Sequence, residues 1–183
     1  MPEPRTDFLM SPPLAERSWN GLKANASPAL KPYDPKRQMT GHGEIICHSQ
    51  QHFEAAFTVI RLFKGVTTPM VRTAPDAAAY AGVLYLKIAA RHSENAAAES
   101  ERVVLDCGSN PSLVLSGLRV GWSDFAFAGP PIVQAKISQL IAKYDARLVG
   151  INQGPVLDLN TAYDPLKKCE AWLNGLKRRA IAG

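Results

Sequence analysis

Residues 102–111 read RVVLDCGSNP. An apolar run stops at Asp106, passes through Cys107, Gly108 and Ser109, and restarts at Asn110-Pro111. A short run of β-branched and apolar residues bounded by a glycine reads as a buried strand. Asn before Pro reads as a helix cap and first turn, because the N–H that proline lacks has no helical partner at that position. The stretch is therefore a strand handing over to a helix. One junction of this kind decides little. A chain that repeats it builds an α/β protein.

The junction repeats on both sides. Residues 44–48 (EIICH) predict a strand, and Ser49 caps a helix whose apolar positions Phe53, Ala56, Phe57, Ile60 and Phe63 keep helical spacing up to Gly65. Residues 69–73 (PMVRT) predict a second strand. Pro75-Asp76 then open a helix with Ala77, Tyr80, Ala81, Leu84 and Ile88 on its inner face. After 102–106 comes a helix with Val114 and Leu118 inward and Gly117 at a close approach. Residues 124–127 (DFAF) predict the fourth strand. Pro130-Pro131 open a helix along Val133, Ile137, Leu140, Ile141 and Tyr144, and 147–150 (RLVG) predict a fifth strand. Each unit takes about 25–35 residues, the size of a βαβ step with a right-handed crossover. The expected fold is one three-layer α/β domain over 41–150. Its sheet is four- to five-stranded and mainly parallel, in a flavodoxin-like or receiver-like arrangement.

Two segments flank that domain. Residues 1–40 carry seven of the 14 prolines and predict an extended or disordered arm. Phe8, Leu9, Trp19 and Leu22 give it apolar points for docking. Residues 151–183 predict a loop or edge strand followed by a basic amphipathic helix from 164 to 182. The stripe of that helix is Leu166, Cys169, Trp172, Leu173 and Leu176.

Composition bounds the function. With 183 residues, 46% hydrophobic and 20% charged, the chain reads as one soluble domain. No apolar run approaches the ~20 residues that span a bilayer. The first residues lack a secretory pattern, so a cytoplasmic location is expected. Three scattered cysteines (Cys47, Cys107, Cys169) make neither a disulfide framework nor a CxxC pair. The net charge of +5 suggests nucleic acid, but its distribution argues otherwise. Residues 41–160 hold ten basic and ten acidic residues, and the excess of +2 and +3 lies in 1–40 and 161–183. A nucleic-acid module concentrates its charge on a folded face.

In a parallel sheet the strand ends meet at the carboxyl edge, where ligands of such folds bind. The predicted ends bring Cys47-His48-Ser49, Arg72-Thr73, Asp106-Cys107-Gly108-Ser109-Asn110 and Gly129 together. Arg72, Thr73, Asp106, Cys107, Ser109, Asn110 and Ser49 are the candidate ligand-binding residues, with helix N-termini and Arg72 suited to an anion. The bland reading of the same residues is that Ser49, Asp76 and Asn110 cap helices while Arg72 pairs with Asp106. Cys107 is a candidate nucleophile beside Asp106, with His48 or His52 as base, and alternatively a small buried hydrophobe. Cys47, His48 and His52 are too loosely spaced to name a metal site. GxxxxGK[ST], GxGxxG and GxSxG are all missing, so no cofactor is expected. A receiver-type phosphoacceptor role fails on chemistry, since Cys47 and Thr73 stand where further acids are needed around Asp106.

The segments VRTAPDAAAYAG (71–82), VVLDCGSNPSLVLSGLRVG (103–121) and VLDL (156–159) resemble a family of small alphaproteobacterial α/β proteins with the pattern RxAPxAAxYAG, LDCGxxP and LDL. The resemblance spans about residues 67–159. It departs at Ser109 and Ser112, where the family pattern has Asp and Gly. It implies one bacterial α/β domain and no particular activity. Two functions follow as expectations. The first is a non-catalytic binding or regulatory module acting through protein contacts, with residues 1–40 and 161–183 as docking elements. The second is a small enzyme or sensor that binds an anion at the carboxyl edge and uses Cys107.

Overall fold

A computed structural model describes residues 43–62, 68–94, 103–150 and 154–182. The expectations for the arm at 1–40, for Phe63 and for Gly65 lie outside the described residues. The elements run β1 (Glu44–Cys47), α1 (Gln50–Leu62), β2 (Met70–Thr73), α2 (Ala77–Tyr80), α3 (Val83–Glu94), β3 (Val103–Asp106), α4 (Pro111–Arg119), β4 (Asp124–Ala126), α5 (Pro131–Ala142), β5 (Arg147–Leu148), β6 (Val156–Asp158) and α6 (Pro165–Ala182). The strands form one six-stranded sheet, parallel at every pairing, in the order β5-β4-β3-β2-β1-β6. The α/β class and the parallel sheet are as expected, with one strand more.

The strand order is not the flavodoxin-like one, which reverses direction after its second strand. Here β1 to β5 step outward in one direction, and only β6 returns to the far side of β1. Right-handed crossovers that all step one way put their helices on one face of the sheet. The packing agrees, because neighbours run α6–α1–α3–α4–α5 in a single row. The segment from 151 onward is therefore no appendage. β6 pairs with β1, α6 packs on α1, and the compact unit reaches from Gln38 to Gly183.

Alternation along the strands sorts the side chains by face. Ile45, Cys47, Val71, Leu105, Cys107, Phe125 and Leu157 meet the helix row. From that row come Phe53, Phe57, Val114, Ile137, Ile141, Cys169 and Leu173. Burying each large apolar side chain contributes about 1.5–3 kcal/mol. The opposite face carries Glu44, Met70, Arg72, Val104, Asp124 and Ala126. These side chains are buried as well.

One helix differs from its prediction in two ways. The segment after Pro75 splits into α2 and α3 at Gly82, whose φ of +84° belongs to the left-handed region. The break resets the helical phase. Leu86, Ala89 and Ala90 face the core, while Tyr80, Leu84 and Ile88, expected inside, are exposed. Leu140 of α5 and Tyr144, in the turn after it, likewise lie outside, with Ile137 and Ile141 as the buried pair. Trp122 ties the α4–β4 turn to α3. Its Nε1–H donates to the Val83 carbonyl at 2.9 Å, and Lys87 Nζ sits 4.7 Å from its ring centre.

Candidate functional site

Parallel pairing places the carboxyl ends of all six strands along one edge. Across the sheet face away from the helix row, Arg72 of β2 donates through Nε to Glu44 Oε1, at the amino end of β1, and through Nη1 to Asp106 Oδ2, at the carboxyl end of β3. The second oxygen of Asp106 accepts the backbone N–H groups of Asp76 and Gly108, both at 2.9 Å. The Asp106 N–H in turn donates to Thr73 Oγ1 at 2.8 Å. Arg72, Thr73 and Asp106 are buried, so three of the predicted ligand-binding residues do come together. They bind one another. A bidentate anion clamp needs a guanidinium edge that is free, and Arg72 is held on two sides by carboxylates.

The loop after β3 is shaped by that carboxylate. Gly108 adopts φ +52°, and a Cβ there would meet Asp76 Oδ1 at 1.6 Å, so no side chain fits. Asp76 itself sits at φ 55° and makes no side-chain cap, although its position before α2 suggested one. Its backbone N–H serves Asp106 instead.

Cys107 points into the core and is fully buried. Burial, with the neighbouring Asp106 carboxylate adding to it, pushes its thiol up to about 12. A nucleophilic cysteine needs the opposite environment. Cys47 is buried on the same face, with its thiol raised by burial, then by Cys169 and Asp158. His48 follows it in sequence and points the other way, because successive strand residues alternate. The His48 ring turns to Asp158 instead, with Nε2 2.8 Å from Asp158 Oδ1. Among the described residues no three His, Cys, Asp or Glu side chains are grouped to hold a metal ion.

The remaining candidates are spread along the edge. Asn110 Oδ1 accepts the Ser112 N–H at 3.0 Å and caps α4, with Pro111 in the first turn. Ser49 Oγ accepts the His52 N–H at 3.4 Å. Ser109 is exposed in the turn between β3 and α4. The Gly129 carbonyl accepts Gln134 Nε2 at 2.7 Å, and the Phe127 ring fills the place of any Cβ at Gly129.

A second polar group lies at the ends of β1 and β6. His48 Nε2 is 2.8 Å from Asp158 Oδ1. The His48 N–H donates to His52 Nδ1 at 3.1 Å, and Lys168 Nζ donates to the Asp158 carbonyl at 2.9 Å. His48 and His52 are the bases expected for Cys107, but nothing in their local sequence joins them to Asp158, 110 positions beyond His48. The available signal was the VLDL segment, whose alternation fits a strand with Asp158 facing outward. No family model, no curated protein and no solved structure matches the chain.

Proposed function

We propose that the protein is a non-catalytic binding module that acts through protein contacts, and that α3 carries its docking face. One observation supports this above the others. Leu84, Tyr85 and Ile88 are 57%, 55% and 50% exposed, and their spacing puts them side by side on the helix. Tyr80 of α2, just before them, is 68% exposed. Contiguous large apolar side chains on a surface mark contact sites. Arg91 and His92 continue the same surface into the last turn of α3, so the fitting partner offers an apolar patch with acidic residues at its rim.

The middle of the carboxyl edge favours this reading over a Cys107 enzyme, since its thiol is buried and protonated and its arginine is engaged within the fold. α6 spends Cys169 and Leu173 on its own core, leaving Lys167, Lys177 and Arg178 outward for a contact of lesser weight. The arm at 1–40 keeps its place in the proposal as a second docking element.

The test uses the full chain and Leu84→Glu/Ile88→Glu. Both positions are exposed, so the double variant is expected to melt like the native chain. A partner captured by the native chain is identified by mass spectrometry, purified and titrated against both. Losing two buried apolar contacts is expected to weaken binding by about tenfold or more. Equal affinity for the two chains overturns the assignment of the face.

A further inference from the structure

All helices of the row run the same way. α1, α3, α4 and α5 each lead from one strand to the next strand parallel to it, so each returns from the carboxyl edge of the sheet to its amino edge. α6 does the same without a strand after it. The Trp172 ring lies 2.7 Å from where a Cβ of Gly43 would stand, just before the amino end of β1. Lys177 and Arg178 follow Trp172 along α6, so they project past that edge.

The last turns of five helices therefore gather along the amino edge. They bring Arg61, Arg91, Arg119, Lys143, Lys177 and Arg178 there, all exposed. Among the described residues none of these six pairs with a carboxylate, whereas Arg72, Arg147 and Lys167 each do. Acids are few at this edge. Glu44 and Asp124 are buried against Arg72 and Arg147. Asp145 and Glu94 remain, so six cations against two acids leave an excess of four. The connections at 63–67 and 95–102 carry Lys64 and Arg102 against Glu99 and Glu101, which leaves the excess unchanged. The exposed carboxylates Asp76 and Asp158 lie at the carboxyl edge instead. Residues 41–160 are neutral in sum, yet the fold sorts their charges by edge.

A basic residue in the last turn of a helix answers the helix dipole, which explains each of these residues singly. Parallel strands with the helices on one face then bring all of them together. Two large apolar side chains join them. Leu62, the last residue of α1, is 73% exposed, and Tyr144, next to Lys143, is 65% exposed. An anionic bilayer takes cations at its headgroups and apolar or aromatic side chains just beneath them. A nucleic-acid duplex offers phosphates to the cations but no apolar layer to Leu62. Packed helices lie about 8–10 Å apart, so five helix ends spread over roughly 30–40 Å, a surface and not a pocket. No helix among the described residues is long and apolar enough to cross a membrane, so the contact is with the bilayer surface.

We propose that the amino edge of the helix row is a contact surface for an anionic phospholipid bilayer, with the six cations at the headgroups and Leu62 and Tyr144 as shallow apolar anchors. Arg91 also borders the docking face of α3, so the test leaves it in place.

The experiment is co-sedimentation of the purified full chain with vesicles of phosphatidylcholine alone and of equal parts phosphatidylcholine and phosphatidylglycerol. Binding is expected on the anionic vesicles only. About 1 M salt, where the screening length falls to roughly 3 Å, should release most of it. Each cation near an anionic surface is expected to contribute about fivefold, so Arg61→Gln/Lys143→Gln should weaken the partition by about 25-fold. Lys136→Gln/Lys167→Gln has the same net charge but alters exposed residues away from this edge, and should bind nearly as the native chain does. Leu62→Ser/Tyr144→Ser, with no change of charge, should lose several-fold. All these positions are exposed, so native melting by circular dichroism is expected of each variant. Equal binding to neutral and anionic vesicles, an equal loss in the two charge variants, undiminished binding by Leu62→Ser/Tyr144→Ser, or tighter binding to a DNA duplex than to the anionic vesicles overturns the proposal. The assay contains no protein partner, so this surface and the docking face fail separately.

Discussion

Replacing Arg72 by Met tests the reading of the central carboxyl edge most sharply. Glu44, Arg72 and Asp106 form a row of three buried ionic side chains across β1, β2 and β3. Arg72→Met leaves two buried carboxylates without their cation. Removing one partner from a buried pair costs about 3–5 kcal/mol, most of it the penalty of the charge left behind. At roughly 2–4 °C per kcal/mol for a chain of this size, Tm should fall by about 6–20 °C. The two carboxylates are not equally exposed to the loss. Asp106 keeps the N–H groups of Asp76 and Gly108, whereas Glu44 loses the Arg72 Nε–H and its Oε2 has no hydrogen-bond partner among the described residues. Glu44→Leu/Arg72→Met, which removes the stranded charge, should therefore melt above Arg72→Met alone. Lys167→Met is the control, because the Lys167–Asp164 pair at 3.4 Å is exposed and such pairs contribute about 0–1 kcal/mol. Thermal unfolding followed by circular dichroism, backed by urea titration, gives all three numbers. An Arg72→Met chain that melts with the control, or a double variant below the single one, refutes the argument and returns Arg72 to the list of groups free to bind a ligand.

The remaining predictions address the thiols, the packing and one cap. Folded protein should resist alkylation by iodoacetamide near neutral pH at Cys47, Cys107 and Cys169, all buried, and mass spectrometry should find all three labelled only after denaturation. Cys107 and Cys169 have thiols raised from 9.0 to about 12 and about 11, so the unfolded chain releases these protons first. Their contribution to stability is whole below pH 9 and is lost as pH rises towards those values, and Cys107→Ala/Cys169→Ala should flatten the alkaline fall in Tm. Gly117→Ala should destabilise by about 1–3 kcal/mol, since its Cβ would meet Phe125 at 2.7 Å and Leu105 at 2.8 Å. Gly175→Ala in α6, with open space around the new methyl, should stabilise by about 0.5–1 kcal/mol, so the two urea midpoints should move in opposite directions. Asn110→Ala removes the side-chain acceptor for the Ser112 N–H and should cost about 1 kcal/mol.

What the sequence disclosed follows from the range of the forces involved. Strand, cap and first turn are local, so Val103–Asp106, Asn110 and Pro111 were readable from ten consecutive residues, and Gly117 was readable as a close approach. Helical phase is local only until something resets it. The stretch VLYLKIAARHSE of α3 offers two apolar stripes, one through Leu84 and Ile88, the other through Val83, Leu86 and Ala90. Side-chain size favoured the first. Gly82 turned the helix so that the second, with its small alanines, packs on α1, because a close helix contact needs small residues more than large ones. The larger stripe was thereby left for another surface. Strand order lies beyond local reading altogether, and both polar groups depend on it. Arg72 reaches two carboxylates because β2 lies between β1 and β3, and His48 reaches Asp158 because β6, last in sequence, returns to β1. The same topology separates their roles. In the middle of the sheet, with strands on both sides, the buried charges of Glu44, Arg72 and Asp106 pair with one another. At β1 and β6, at the sheet's border, the His48–Asp158 pair keeps its access to water.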